Sequence, residues 1–217
     1  MKINKYLSLL SVALLSNSAF AEESLTNKNE YKNNIDVLGG IGYTNYSDFQ
    51  IDGNKLPSNY NMNGLNMNAA ALYSIYPSSF GSPVLGLGLN YTYADVTFKS
   101  DGGSQIKFGI SSLSSTAHAG YKFLPIDDVS IYALANFGYG IYTRQTSDIS
   151  SGSYTSSSDN TGHAHFIYGG TVAASYSLDK NWAVGLGATW QQHYMTILNS
   201  SEKFNEISAN LIASYSL

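Results

Sequence analysis

From residue 35 to residue 217 the chain is written in a period of two. Eight segments, 35–43, 65–75, 85–93, 113–123, 129–141, 166–178, 182–190 and 207–217, place apolar residues at alternate positions. Successive side chains of a β-strand point to opposite faces, so each segment predicts a strand with one apolar face. The stretch "NWAVGLGATW" shows it most plainly. Trp182, Val184, Leu186, Ala188 and Trp190 form one face, and Ala183, Gly185, Gly187 and Thr189 form the other. No segment of this region sustains a helical period. The connections alternate too: 77–83, 124–128 and 179–181 are short, whereas 44–63, 95–111, 143–164 and 191–206 are long and polar. Short turns at one end and long loops at the other predict an antiparallel up-and-down barrel. Eight strands put both chain ends at the short-turn side.

The aromatic residues decide what surrounds the barrel. On the apolar phase, Tyr73, Tyr121, Phe123, Tyr176, Trp182 and Tyr215 fall near the short-turn end. Tyr43, Tyr91, Tyr93, Tyr139, Phe166, Tyr168 and Trp190 fall near the other, with mainly Leu, Val, Ile and Ala between. Two aromatic girdles around an aliphatic band are what a transmembrane barrel presents to lipid. Trp182 and Trp190 are eight steps apart, about 26 Å along a strand and roughly 20 Å in depth once the strand is tilted. The fold class expected is therefore all-β, an eight-stranded antiparallel up-and-down transmembrane β-barrel. Within the strand cores only Asp36 and Lys122 are charged, and both lie on the lumen phase. A lysine facing hydrocarbon at mid-depth costs about 2–4 kcal/mol.

Composition narrows the class further. The chain has 18 Tyr, 20 Gly and no Cys, and only 12 % of its residues are charged. No disulfide and no thiol chemistry is available. The formal net charge is −4, and nothing resembles the basic footprint of a nucleic-acid partner. Residues 1–21, "MKINKYLSLLSVALLSNSAFA", have a lysine-bearing start, a short apolar run and an A-x-A site, the three parts of a signal peptide. Residues 22–34 read as a polar leader and 35–217 as the barrel.

In these features the chain resembles the small eight-stranded outer-membrane barrels of the OmpA/OmpX and opacity-antigen type. The C-terminal "ISANLIASYSL" resembles their assembly signal, with Tyr215 third from the end and Leu217 where the usual residue is Phe. The resemblance implies residence in the outer membrane of a Gram-negative bacterium. The partners it implies are outer-membrane lipid including lipopolysaccharide, the barrel assembly machinery, and a host or envelope ligand at the loops. No peptidoglycan-binding domain is expected after the last strand.

The candidate chemistry is sparse. A chain resembling the lipid A deacylases would carry a His-x-Ser pair, but the histidines here read "HAG", "HAH", "HFI" and "HYM". Nucleophilic catalysis needs a base oriented by a third group, and no such trio is readable. His163, His165 and His193 could gather near the mouth: if the 179–181 turn pairs Leu178 with Trp182, Ile167 pairs with His193. With no acid or Cys to complete a ligand set, they are expected to be solvated residues at a loop edge, not a metal site. No cofactor is implied. In the lumen, Gly, Ser, Thr and Asn dominate, and Leu38, Leu72, His118, Lys122 and Tyr132 would form a constriction. Asp36 and Lys122 share a depth and are expected to join in an ion-pair network with Tyr132 and with His118 above it. The expected function is non-enzymatic: a structural or surface-interaction role through long extracellular loops. The alternative is a porin-like narrow channel for small solutes.

Overall fold

The computed structural model describes residues 34–56, 61–99, 105–151, 154–161, 165–197 and 200–217. The signal-peptide and leader segments lie outside the described residues, Asn34 excepted. Eight long strands close on themselves: β1 (Ile35–Ile51), β3 (Met62–Ser74), β4 (Gly81–Lys99), β5 (Gln105–Ile126), β6 (Val129–Ser151), β8 (His165–Ser177), β9 (Trp182–Ile197) and β10 (Ser200–Ser216). Two short strands, β2 (Asn54–Lys55) and β7 (Tyr154–Thr161), fold back on β1 and β6. Every neighbouring pair is antiparallel, and β1 pairs with β10 from Asp36↔Ser216 to Ile51↔Glu202, which seals the ring. Among the described residues the eight barrel strands therefore have no open edge over the depth of the aliphatic band. A solvent that cannot hydrogen-bond permits nothing else.

The alternation sorts side chains as the sequence predicts. Leu87, Phe137, Val172, Leu186 and Leu211 stand on the outer surface, each about three-fifths or more exposed. On the opposite phase, Leu72, Thr116, Leu134, Asn136 and Ala173 are buried inside. The girdles include cross-strand pairs. Trp182 and Tyr215 face each other at the short-turn end with ring centroids 4.9 Å apart. At the opposite end Tyr139 meets Phe166 edge-on at 5.1 Å.

The interior of an eight-stranded barrel is only wide enough for side chains to fill. Two apolar layers fill much of it. Near the short-turn end Leu38, Leu72, Val84, Tyr132, Leu134 and Ala173 pack together. Near the long-strand end the layer is Tyr46, Phe49, Met62, Ala94, Ile110, Met195 and Phe204. Small residues make room for the larger ones. A Cβ on Gly185 would lie 2.0 Å from the carbonyl oxygen of Ala174, so the β8–β9 approach requires glycine there. At Gly187 the first obstacle is the mobile end of the Ile212 side chain, 2.6 Å away.

The connections at the long-strand end depart from expectation. Segments 95–111 and 143–164 read as polar loops, yet the β4–β5 ladder continues to Lys99↔Gln105 and β5–β6 to Gln105↔Ser150. Beyond that, β7 pairs with β6 from Arg144↔Thr161 to Ser151↔Tyr154. Segment 143–164 is Ser- and Thr-rich and shows no apolar alternation, so its ladders form by cross-strand pairing instead. Segment 95–111 does alternate, at Val96 and Phe98 and again at Ile106, Phe108 and Ile110; Ile110 belongs to the long-strand layer, and Val96 and Phe108 pack against it. Phe49, expected in a loop, turns inward and stacks on Phe204 at 4.9 Å.

Two measurements check the strand phase. Brominated-lipid quenching should place the Trp182 and Trp190 indoles near the two headgroup regions, with neither at the bilayer centre. Leu186→Arg should lower folding stability in lipid vesicles by about 2–4 kcal/mol. Gly187→Ser should cost clearly less, as read from denaturant titrations.

Candidate functional sites in the barrel interior

At the short-turn end, Asp36 on β1 is fully buried. Its Oδ2 accepts from Lys122 Nζ at 2.7 Å and from the Tyr132 hydroxyl at 3.1 Å. Its Oδ1 accepts from Ser216 Oγ at 2.6 Å. The Lys122 ammonium also stands over the Tyr132 ring, 5.5 Å from its centroid. One carboxylate thus ties β1 to β5, β6 and β10. Burying a charge without a partner is costly, and here a counter-charge and two hydroxyl donors are supplied. The structure brings Asp36, Lys122 and Tyr132 together. His118 stands apart from them: its Nε2 meets Thr116 Oγ1 at 3.0 Å and its Nδ1 meets Asn136 Oδ1 at 2.9 Å.

Between the two apolar layers lies a cavity of about 70 Å³ with a mixed lining. His118 lines it together with Asn66, Asn68, Asn136, Gln191 and Asn210. Several of these amides bond one another: Asn68 Nδ2 donates to Asn66 Oδ1 at 3.0 Å, and Asn136 Nδ2 to Thr171 Oγ1 at 2.7 Å. Gln191 Oε1 and Asn210 Oδ1 have no protein donor. The cavity has room for about two waters, which such acceptors would hold.

The third constellation lies beneath the long-strand layer. The turn at 179–181 sets Ile167 opposite His193, and His165 is the diagonal neighbour. The rings meet: His165 Nε2 is 2.7 Å from His193 Nδ1, and His193 Nε2 is 2.9 Å from Glu206 Oε2. Glu206 Oε1 accepts from Thr44 Oγ1 at 2.9 Å and from Asn66 Nδ2 at 3.3 Å. At the other end His165 Nδ1 meets Thr143 Oγ1 at 3.1 Å and Ser112 Oγ at 3.3 Å. Neither histidine is a solvated loop-edge residue; both are buried, His165 completely. The expectation that no acid stands near them is also corrected. β10 begins at Ser200, so Glu206 is a lumen residue one step before the outward Ile207. Counting the period back from Ile207 would have found it. His163 lies outside the described residues. Among those described, no group of three His, Cys, Asp or Glu side chains has the arrangement of a metal site. The three that touch here form a line and do not converge on a point.

Carboxylates at the water-exposed ends are of a different kind. Arg144 and Asp159 join β6 to β7 through a bidentate contact, 2.7 Å at its shortest. Hydrogen bonding to Arg144 holds the Asp159 carboxyl below its ordinary range. In the short turn before β9, the backbone N–H groups of Trp182 and Asn181 do the same for Asp179. Both carboxylates are solvated, and neither needs the lumen.

The ion pair gives a direct prediction. Asp36→Ala leaves a lumen ammonium without its counter-charge and should cost about 3–5 kcal/mol. Lys122→Met in the Asp36→Ala background should restore part of that loss. A double-mutant cycle on the refolded barrel should give a coupling of about 1–3 kcal/mol between the two positions.

No protein-family model and no curated protein matches the chain. Solved structures do. Neisserial surface protein A shares 17 % identity over 83 % of this chain and 96 % of its own, with a TM-score of 0.51. Ail, the attachment invasion locus protein of Yersinia pestis, in complex with the heparin analogue sucrose octasulfate, shares 17 % identity over 86 % and 100 %, with a TM-score of 0.43. The outer membrane protein OprG of Pseudomonas aeruginosa shares 13 % over 85 % and 96 %, with a TM-score of 0.43. The closed ladder, the lipid-facing belt and the likeness to the Neisserial protein together give this chain the fold of the small eight-stranded outer-membrane β-barrels.

Proposed function

We propose that the chain is a non-enzymatic protein of the bacterial outer membrane, with a structural or surface-contact role carried by its long-strand end. The observation behind this reading is the filling of the lumen. Two apolar layers and the Asp36–Lys122 pair occupy the interior at successive depths, and the cavity lies between the layers. A passage for solutes would have to displace all three. At the long-strand end, by contrast, β5 and β6 run for 22 and 23 residues. That is about twice the length needed to cross the hydrocarbon. The excess, with β7, stands in water as a rigid polar sheet. Loops and extensions on a rigid scaffold are where binding usually resides.

The order Ser112, His165, His193, Glu206 invites an enzymatic reading, since it sets a hydroxyl beside a base that leads to an acid. Ser112 is itself buried beneath the long-strand layer. A nucleophile needs a site where a reacting atom can sit next to it, so the order fits a structural role better.

Planar-bilayer recording of refolded protein tests the reading. Wild type should show no steady single-channel steps, and steady steps would favour the narrow-channel alternative. In parallel, residues 147–158 are replaced by a two-residue Asn-Gly turn. Bacteria displaying this variant should lose adherence to epithelial cells or matrix relative to wild type at equal surface levels. Unchanged adherence would remove the surface-contact role from β6 and β7.

A further inference from the structure

The buried line from Ser112 and Thr143 through His165 and His193 to Glu206 has an unusual property: its hydrogen bonds can be completed with two different numbers of protons. Take Glu206 as a carboxylate in both. In the first arrangement both imidazoles are neutral. His193 donates its Nε2–H to Glu206, His165 donates its Nε2–H to His193 Nδ1, and His165 Nδ1 accepts a hydroxyl proton from Thr143 or Ser112. In the second, one proton has been added. His193 carries both N–H groups and donates to Glu206 and to His165 Nε2. His165 remains neutral but holds its proton on Nδ1 and donates it to the hydroxyl oxygen. Each hydroxyl both donates and accepts, so the line reverses direction without breaking.

A third arrangement, with both rings cationic, is blocked. His165 Nε2 and His193 Nδ1 are 2.7 Å apart, and two N–H groups would then point at each other with no acceptor between. The rings would have to separate. His193 is stacked on Phe204, with centroids 4.7 Å apart and planes 10° apart, and Phe204 packs on Tyr46 and Phe49. Separating the rings therefore disturbs the long-strand layer.

The other groups around the line do not offer a competing charge. From β1 come Thr44 and Tyr46, whose hydroxyl is held by Thr92 on β4. From β3 comes Asn66, from β5 Ser112 and from β6 Thr143. β10 supplies Glu206 and, nearer the mouth, Glu202, whose Oε2 accepts from Gln145 at 3.2 Å. Among the described residues, the contacts of these side chains include no lysine or arginine.

We propose that Ser112, Thr143, His165, His193 and Glu206 form a buried binding site for a single exchangeable proton. Uptake of that proton converts His193 to the cation and moves the His165 proton from Nε2 to Nδ1 without charging it. The long-strand layer keeps its packing through this step and loses it only when a second proton enters. The two rings titrate as one unit, as strongly coupled sites do.

Nitrogen NMR of ¹⁵N-histidine-labelled full-length barrel, refolded in micelles and titrated between about pH 8 and pH 4, tests this directly. His118 and His163 are each replaced by Gln to assign the signals. The expected result is one step in which His193 becomes an imidazolium and His165 changes tautomer at the same pH. Near-UV circular dichroism should stay unchanged through that step. Glu206→Gln should move the step to lower pH by at least one unit while keeping the barrel folded. Three results would overturn the proposal: His165 becoming cationic in the first step, the two rings titrating at separate pH values, or no titration of either ring across the range. The wild-type titration decides the matter even where a variant fails to fold.

Discussion

The closed hydrogen-bond ladder is the constraint from which the rest of this molecule follows. In hydrocarbon an unpaired backbone N–H or carbonyl costs several kcal/mol. The strands therefore have to pair edge to edge all the way round, and the β1–β10 seam closes the ring over most of the length of both. Once the ring is closed, strand geometry leaves no freedom about side chains. Alternate residues face lipid and must be apolar; the rest share a narrow interior. The girdle pairs Trp182–Tyr215 and Tyr139–Phe166 then mark the two levels at which the outer face passes from lipid to water.

Eight strands make the interior the crowded side. Gly185, whose Cβ would strike the Ala174 carbonyl, shows that some lumen positions have no space for any side chain. The space so released is given to a few larger groups. Apolar ones form the two layers. Polar ones have to bring their own partners, since little water is at hand. Asp36 collects three donors from three other strands, and Glu206 collects contacts from β1, β3 and β9. In each case a single carboxylate cross-links strands, most of them far apart in sequence, that are adjacent around the ring or opposite across it.

Above the long-loop girdle the constraint relaxes. Water can satisfy a free strand edge, so β7 pairs on one side only, with β6. The apolar outer face disappears there, and exposed ion pairs such as Arg144–Asp159 take its place. Exposed pairs contribute little to stability, typically up to about 1 kcal/mol. Their effect here is to order a polar sheet that lipid does not support.

Sequence alone determined the strands, their number, their direction and which face of each meets lipid. All of these follow from a period of two, from turn lengths and from two aromatic levels, and lipid tolerates no exception to them. The register of β8 against β9 was also readable, because a turn as short as 179–181 leaves one solution. The meeting of Asp36 with Lys122 and Tyr132 was foreseeable only as a shared depth; its distances, and the joining of Ser216 where His118 was expected, depend on how the ring closes. The reach of β6 and β7 beyond the membrane was hidden, because a Ser- and Thr-rich segment carries no alternation to read; that of β4 and β5 was legible at Val96, Phe98, Ile106, Phe108 and Ile110. Glu206, which is fully buried, was readable only by counting the period back from Ile207, past the point where the alternation of the last strand becomes visible. Its contact with His193 joins adjacent strands, but the line from Ser112 to Glu206 crosses β5, β6, β8, β9 and β10. Only tertiary structure decided it, because strand shear and the rotamers of a packed lumen set which inward side chains touch, and no local pattern encodes either.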